Sequence, residues 1–262
     1  MKPHLRGLAD ASPAGLCGSL TIEFLYGRNS VLEALRAGRG MRRILVADSA
    51  HGLDALIAEA RRRRVPLDVL PRRALDDRAG DHHQGVLAEA EPFTYTPLDE
   101  ILARAEQRQE PPFLLALDSL QDPQNFGTLL RTAQACGIHG VILPEHRAVG
   151  VTPAVSNASA GAVEHLAVAR VTNLSRSLRW LKERGVWVYG LAVEGAQPFT
   201  TTNLNGPLAL VVGSEGSGLG RLVSETCDAL IAIPMANSAI QSLNASVAGS
   251  VVLYDAFRQR QS

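Results

Sequence analysis

From residue 113 onward, short and almost uniformly apolar runs alternate with segments that carry apolar residues at helical spacing. Apolar runs of this kind are typical of strands buried on both faces, and such strands form parallel sheets covered by helices. The pattern predicts an α/β fold with a parallel sheet that has helices on both faces. The predicted strands are Phe113–Leu117, Gly140–Leu143, His165–Val171, Val186–Ala192, Leu208–Gly213 and Ala229–Ile233, and the predicted helices are Asn125–Cys136, Asn173–Arg184 and a last one within 241–261.

A smaller αβ unit precedes this sheet. Within Tyr26–Gly38, the run Ser30-Val31-Leu32-Glu33 has the pattern of a capping box, which predicts the start of a helix. The remaining predicted elements of this unit are the strands Arg43–Ala47, Pro66–Leu70 and Gly85–Ala90 and the helix Leu53–Arg63.

The two units are separated by a stretch of prolines around a charged helical segment. Pro92, Pro97, Pro111 and Pro112 surround Leu98–Gln109, and the composition changes at residues 109–112. The expected organisation is a leader at 1–23, a small αβ domain at 24–92, a linker at 93–112 and the larger domain at 113–262.

Composition favours a globular protein of the cytoplasm. The 262 residues are 46% hydrophobic and 20% charged, and no apolar run approaches the roughly 20 residues that span a bilayer. The first 20 residues lack the continuous apolar core of a secretion signal. Cys17, Cys136 and Cys227 are far apart and form no CxxC pattern, which argues against disulfides and a structural zinc site.

The net charge of zero conceals an uneven distribution. Residues 28–73 carry 11 Lys/Arg against 5 Asp/Glu, whereas residues 74–110 carry 3 against 9. One interpretation is a surface for phosphates, and the other is a solvated helix face, which is favoured for Arg61–Arg64 taken alone. Because binding requires only a local patch, the neutral total is compatible with a nucleic-acid partner.

Three loops that follow predicted strands are rich in Gly, Asn, Ser and single charges. They are residues 118–137, 213–220 and 234–246, and in a parallel sheet ligands bind beyond the carboxyl ends of the strands. Gly216-Ser217-Gly218 has the GxG pattern, but the third glycine of a dinucleotide fingerprint would fall at Arg221, and no P-loop lysine is present. A dinucleotide or NTP site is therefore disfavoured.

These three segments, in this order, resemble the motifs of the SpoU/TrmH-type branch of the SPOUT class of RNA 2′-O-ribose methyltransferases. The first motif matches Asn125, Gly127, Arg131, Thr132 and Ala133, the second matches Gly213, Glu215, Gly218 and Leu219, and the third matches Ile233-Pro234-Met235 and Ser242–Ala248.

The resemblance extends from Tyr26 to Arg260. Tyr26–Leu35 and His83–Val86 resemble the substrate-binding domain of enzymes that modify a guanosine of large-subunit (23S) ribosomal RNA. One loop departs from the family pattern, because Asn237 stands where a glycine is usual and Met235–Ser242 is one residue longer.

The resemblance implies a C-terminal domain folded as a trefoil knot, with S-adenosylmethionine as the cofactor. It also implies three groups of site residues. The implied catalytic residues are Arg131, Asn125, Glu215, Ser242 and Asn244; the implied cofactor-binding residues are Gly213, Ile233, Leu243, Met235 and Leu191; and the implied RNA-binding residues are Arg28, Asn29, His83 and Gln84. His83 is expected either to support a loop or to contact RNA.

In the implied reaction, the sulfonium methyl group moves to a ribose 2′-oxygen without a metal. A guanidinium group is a permanent cation with several donors, so Arg131 is suited to binding a phosphate and stabilising the developing alkoxide. Glu215 is expected to fix its loop or to pair with Arg131. The family also implies a homodimer, and part of its interface is expected on Val251, Leu253, Tyr254 and Phe257 of the last helix.

Two other classes of function remain open alongside this one. The first is a non-catalytic RNA-binding protein, because the first domain resembles ribosomal-protein-like (L30e-like) folds. The presence of Arg131 and Asn244 counts against it. The second is a small-molecule enzyme with a doubly wound sheet, against which the missing third glycine counts. Within the methyltransferase interpretation, another ribosomal site or a transfer RNA remains an alternative target.

Overall fold

The computed structural model describes residues 21–193, 196–236 and 242–261. The predicted leader, apart from its last three residues, and Asn237 lie outside the described residues. The connection 237–241 lies outside them as well, so the implied knot stays a prediction.

The N-terminal domain is a four-stranded mixed sheet with helices on both faces. Its elements are β1 (Glu23–Tyr26), α1 (Arg28–Ala37), β2 (Met41–Ala47), α2 (Asp54–Arg63), β3 (Leu67–Leu70), α3 (Arg72–Ala79) and β4 (Val86–Ala90). The strand order is β1-β4-β2-β3, with β4 antiparallel to both neighbours and β2 parallel to β3. Residues of α1 and α2 share one buried cluster with the sheet, and Leu75 of α3 packs in a second one.

The start of α1 differs from the prediction. The helix begins at Arg28, directly after Gly27, whose φ of 92° lies in the region that favours glycine. Ser30 is therefore inside the first turn and does not cap the helix; its buried hydroxyl bonds the hydroxyl of Ser156 at 2.7 Å. The capping-box prediction is wrong, because a tertiary contact uses the serine.

The C-terminal part is a seven-stranded parallel sheet between two helical layers. Its elements are α4 (Leu98–Gln107), β5 (Phe113–Leu117), α5 (Pro123–Ala135), β6 (Gly140–Pro144), α6 (Pro153–Ala158), β7 (Val168–Val171), α7 (Leu174–Lys182), β8 (Trp187–Leu191), β9 (Gln197–Pro198), β10 (Leu208–Val212), α8 (Arg221–Thr226), β11 (Ala229–Ala232) and α9 (Ala245–Arg260). A short 3₁₀ helix, Ala162–His165, follows α6.

Alternate residues along the central strand β5 face different helical layers. Leu115 and Leu117 pack with α5 and α9, whereas Leu114 and Ala116 pack with α4 and α7. Ile101 of α4 is fully buried in the second layer, so a helix from the predicted linker packs directly on the sheet.

The strand order β7-β6-β5-β10-β8-β11-β9 places β10 between β5 and β8. The chain thus runs outward from β5 to β7 on one side and returns to the other side through β8. Crevices form at such a change of direction, beyond the carboxyl ends of the strands. The loops after β5, β10 and β11 carry the three motifs.

Candidate active site

The loop after β10 folds tightly back on its first residue. The backbone groups of Ser214 and Gly218 exchange two hydrogen bonds of 3.1 and 3.0 Å, and Gly216 and Gly218 have positive φ. A Cβ at Gly213 would overlap the carbonyl group of Gly218 and lie 2.6 Å from the nitrogen of Leu219. Only glycine fits at 213, and its bare backbone faces a cleft.

This cleft has an empty volume of about 780 Å³ including its open mouth. Its walls come from the ends of β8, β10 and β11 and from the first turn of α9. All five predicted cofactor-binding residues line it. The lining residues used below are Leu191, Gly213, Glu215, Ile233, Met235, Ser242, Leu243, Ala245 and Ala248.

The lining is predominantly apolar, and its charge is one-sided. Among the described lining residues, Glu215 is the only one with an ionisable side chain, and no Lys, Arg or His is present. The cleft therefore suits a ligand with apolar or aromatic parts and a net positive charge.

A polar recess adjoins the cleft. It is lined by Ser119, Leu120, Gln121, Asp122, Asn125, Ser214, Glu215 and Ser217, so Ser214 and Glu215 border both spaces. Helix α5 begins here with Asp122 as its N-cap, which accepts the backbone N–H of Asn125 at 2.9 Å, and with Pro123 in the first turn. The pair Asp122-Pro123 signals this start, and the predicted helix Asn125–Cys136 begins two residues later than the observed one.

The side chain of Asn244 joins the three motifs. Its Oδ1 accepts the backbone N–H groups of Ser246 (2.9 Å) and Val247 (3.2 Å), which caps α9. Its Nδ2 donates to Oδ1 of Asn125 at 3.0 Å and to Oε1 of Glu215. One amide thus fixes the start of α9, the start of α5 and the β10 loop relative to one another.

Small residues let α9 approach the sheet closely at this point. A Cβ at Gly249 would lie 2.6 Å from Cδ2 of Leu129 and 3.1 Å from a methyl group of Val212. The hydroxyl of Thr132 on α5 forms a hydrogen bond of 2.8 Å with the hydroxyl of Ser250 on α9.

Arg131 does not join the other predicted catalytic residues within one chain. It is exposed on α5, lines neither the cleft nor the recess, and forms no ion pair with any described residue. The expected pairing of Arg131 with Glu215 does not occur within a single chain, where the Glu215 carboxylate accepts from Asn244. Ser242 lines the cleft and Asn125 lines the recess.

Three of the four predicted RNA-binding residues share one surface of the N-terminal domain. The Nε of Arg28 donates to the carbonyl of Gln84 at 3.1 Å, and both Gln84 and the neighbouring Asn29 are exposed. His83 is fully buried; it bonds Asp76 at 2.7 Å and accepts the N–H of Gly85 at 2.9 Å. Of the two roles expected for His83, the geometry favours support of the loop over a direct RNA contact, because the ring is enclosed and holds the loop from inside.

Family models match both parts of the chain. Residues 112–254 match the SpoU rRNA Methylase family, and residues 24–96 match the RNA 2'-O ribose methyltransferase substrate binding domain. The chain belongs to the SpoU rRNA methylase family. The prediction of an RNA methyltransferase is thereby confirmed at the level of the family.

Relatives align along nearly the whole chain. The putative TrmH family tRNA/rRNA methyltransferase YacO of Bacillus subtilis is 44% identical over 240 residues, which cover 91% of this chain and 96% of YacO. The crystal structure of the SpoU methyltransferase AviRb from Streptomyces viridochromogenes, in complex with the cofactor AdoMet, superposes with a TM-score of 0.76 at 26% identity and covers 91% and 90% of the two chains.

A second solved structure is an AdoMet-bound rRNA methyltransferase from Sinorhizobium meliloti. Its TM-score is 0.73 at 26% identity, over 92% of this chain and 88% of that one. These superpositions confirm the predicted parallel α/β fold preceded by a substrate-binding domain.

Two negative observations concern the described part of the chain alone. No helix there has the length and apolarity to cross a membrane. Within the same residues, no three His, Cys, Asp or Glu side chains cluster in a way that could hold a metal ion.

Proposed function

We propose that this protein transfers a methyl group from S-adenosylmethionine to a ribose 2′-hydroxyl of RNA. The observation that carries the proposal is the junction at Asn244, which holds an apolar cleft and a polar recess side by side. One space suits the methyl donor and the other suits a ribose. AviRb and the Sinorhizobium enzyme, both solved with AdoMet, share the fold.

The residues of the cleft fit this cofactor. Leu191, Ile233 and Met235 offer apolar surface for an adenine ring, and the bare backbone at Gly213 offers hydrogen-bonding groups without a side chain in the way. Glu215 supplies the single negative charge at the border with the recess. When bound, S-adenosylmethionine supplies an electrophilic methyl group on a good leaving group, and no metal is required for that.

In the recess, the chain's own groups orient the ribose. Glu215 uses Oε1 to accept from Asn244, which leaves Oε2 to accept a hydrogen bond from the 2′-hydroxyl. Asn125 is held by Asp122 and Asn244, so its amide presents a fixed partner to the sugar. Alignment of this kind is the main contribution an enzyme can make to an in-line transfer.

We propose that Arg131 acts in the recess of a second subunit. Val247, Val251 and Tyr254 form an exposed apolar stripe on α9, at the i, i+4, i+7 spacing of one helix face. Arg131 is exposed on α5, which packs against α9. Burying the stripe in a two-fold dimer would remove apolar surface from water and bring each guanidinium to the partner.

The residues expected in this interface require one correction. Leu253 is fully buried in its own subunit, so it is not available to a partner, whereas Phe257 is half-buried against the same core. Val251 and Tyr254 are exposed, as an interface requires.

The proposed target is a guanosine of large-subunit ribosomal RNA, bound by Arg28, Asn29 and Gln84. The match to a substrate-binding domain at 24–96 supports a large RNA, and the Sinorhizobium rRNA methyltransferase superposes over 92% of the chain. Another ribosomal position or a transfer RNA is the alternative, consistent with the tRNA/rRNA name of YacO. The proposed compartment is the cytoplasm.

Mapping of 2′-O-methyl groups tests the proposal. The comparison uses ribosomal and transfer RNA from three kinds of cell. The first carries the gene, the second lacks it, and the third lacks it but expresses the Arg131→Ala variant. One ribosomal methyl group is expected to disappear in the second and third cases. An unchanged methylation map, together with no binding of S-adenosylmethionine in calorimetry, would refute the function; loss of a tRNA methyl group would change the target alone.

A further inference from the structure

The N-terminal domain contacts the C-terminal domain mainly through residues 152–165, which comprise α6 and the 3₁₀ helix and are here called the docking segment. The contact is polar and buried. Ser156 bonds Ser30 of α1 at 2.7 Å and donates to Oε1 of Glu164 at 2.9 Å. Since the Ser156 hydroxyl donates to Glu164, it accepts from Ser30, so the chain of hydrogen bonds has one direction.

Arg39 completes this network from the N-terminal domain. Its side chain is only 8% exposed, and its guanidinium donates to Glu164 of the docking segment (2.9 Å), to Glu23 of β1 (2.8 Å) and to the carbonyl of Glu91 (2.8 Å). Burial raises the pKa of Glu164, and the charge of Arg39 counteracts that shift. A buried pair of this kind is costly to separate, so the two domains cannot slide over each other without breaking it.

The other side of the docking segment contacts α5, the helix that carries Asn125 and Arg131. A Cβ at Gly127 of α5 would overlap Ala158 and lie 2.7 Å from the nitrogen of Ser159. Gly127 is two residues from Asn125, which lines the recess. The backbones of α5 and the docking segment are therefore in direct contact beside the site.

The same segment contacts the start of α1 closely. Gly161 has a φ of +82°, and a Cβ there would lie 2.6 Å from Cβ of Glu33 and 2.9 Å from the carbonyl oxygen of Asn29. Asn29 belongs to the surface that carries Arg28 and Gln84. A single rigid element thus lies between the proposed RNA-binding surface and α5.

We infer that Ser30, Arg39, Ser156 and Glu164 are positioning residues that determine which nucleotide of a bound RNA reaches the recess. This inference rests on the proposed function. If the N-terminal domain holds RNA at one place, the nucleotide delivered to Asn125 depends on the offset between the two domains. Directional hydrogen bonds fix that offset more sharply than apolar contacts do, because apolar contacts tolerate sliding.

The test compares serine variants of the full-length protein on one RNA probe, an in-vitro-transcribed 23S rRNA. In Ser30→Ala/Ser156→Ala the hydrogen bond between the two serines and the one from Ser156 to Glu164 are lost, whereas the Arg39–Glu164 pair remains and both helices keep their other contacts. Ser159→Ala is the matched control, since Ser159 is equally buried in the docking segment and its hydroxyl bonds the segment's own backbone, the carbonyl of Ser156 and the N–H of Val163. The measurements are kcat and KM for RNA, calorimetric affinity for S-adenosylmethionine, melting temperature, and the methylated position by mass spectrometry.

For the double variant we expect kcat/KM for RNA to fall about tenfold or more, because small misplacements of a reacting group are costly. We also expect methyl groups at neighbouring nucleotides, with cofactor affinity unchanged. Ser159→Ala is expected to match the wild type. Glu164→Gln, which keeps an acceptor oxygen, should lose less than Glu164→Ala, and this pair carries the comparison if the serine variant folds poorly.

The experiment distinguishes failure of the positioning role from failure of the proposed function. Folded variants that methylate the wild-type nucleotide with wild-type kcat/KM overturn the positioning role and leave the proposed function intact. A wild-type protein that binds S-adenosylmethionine but methylates neither this transcript nor bulk tRNA overturns the proposed function and the inference together.

Discussion

Asp118 accepts a hydrogen bond from the backbone N–H of Gly220 at 2.7 Å, although the two residues are 102 positions apart. Asp118 is the first residue after β5 and is 7% exposed, and Gly220 ends the loop after β10. The other carboxylate oxygen of Asp118 accepts a hydrogen bond from the hydroxyl of Ser119 at 3.2 Å. The contact holds together two of the loops that form the recess.

Replacing Asp118 by Ala should destabilise the protein and loosen the β10 loop. The N–H of Gly220 would lose its partner, and because Gly220 is itself exposed, water can partly replace the carboxylate, so the cost is about 1 kcal/mol. We expect a melting temperature lower by several degrees and a weaker affinity for S-adenosylmethionine. Asp118→Asn keeps an acceptor oxygen and should lie close to the wild type in both scanning and titration calorimetry; equal losses in the two variants would contradict this role.

Asn244 offers a way to separate helix capping from assembly of the site. Asn244→Asp keeps an oxygen for the N–H groups of Ser246 and Val247 but loses the donor to Asn125 and places a second carboxylate beside Glu215. We expect nearly unchanged thermal stability and a loss of methylation on the order of a hundredfold. Asn244→Ala should lose about 1 kcal/mol of stability in addition. Wild-type turnover in the aspartate variant would contradict the assigned role.

The strands of the C-terminal sheet and the convergence of its loops were predictable because their signals are local. The apolar runs of the C-terminal sheet mark its main strands, and the three polar loops converge because parallel strands end at one edge. All five predicted cofactor residues reached one cleft for that reason.

The features that escaped prediction depend on partners distant in sequence. Ser30 has the local pattern of a cap, yet Ser156, 126 residues later, uses its hydroxyl. The short helices α3, α6 and α8 carry six to eight residues each, too few for a periodic signal.

Gly213 should tolerate no side chain. In Gly213→Ala the new methyl group would overlap the backbone of Gly218, which can move only if the whole loop shifts. We expect cofactor affinity to fall at least tenfold, on the scale of a misplaced binding loop, as measured by titration calorimetry. Gly206→Ala is the control, because nothing lies within 4 Å of a Cβ there; similar losses at both positions would contradict the steric argument.

His139 should make stability depend on pH. Its Nδ1 accepts the N–H of Phe113 at 3.0 Å and its Nε2–H donates to Glu110 at 2.9 Å, so the ring is neutral in the fold. Burial lowers the pKa of His139, and Glu110 only partly opposes this. The unfolded chain therefore binds the proton more readily, and the stability that His139 contributes is present above about pH 6.5 and lost as the pH falls toward the folded-state value.

Thermal melts at pH 7.5 and 5.5 measure this effect. The wild type is expected to lose stability between the two, and His139→Gln should show a smaller loss over the same interval. His82→Gln, at an exposed position, should retain the wild-type difference. A His139 variant with the wild-type pH dependence would show that another group is responsible.

Mixing two inactive variants decides which subunit supplies Arg131. In a dimer of one Arg131→Ala chain and one Asn244→Asp chain, an arginine acting across the interface gives one site with both residues intact and one site with neither. At random pairing about half of the dimers are mixed, so about one quarter of all sites recover. The measurement is methyl transfer by the refolded or co-expressed mixture compared with each variant alone. If the arginine acts within its own chain, no mixing ratio of the two variants restores methyl transfer. Mixtures of Arg131→Ala and wild-type protein at the same ratios give the activity expected for a known fraction of intact sites.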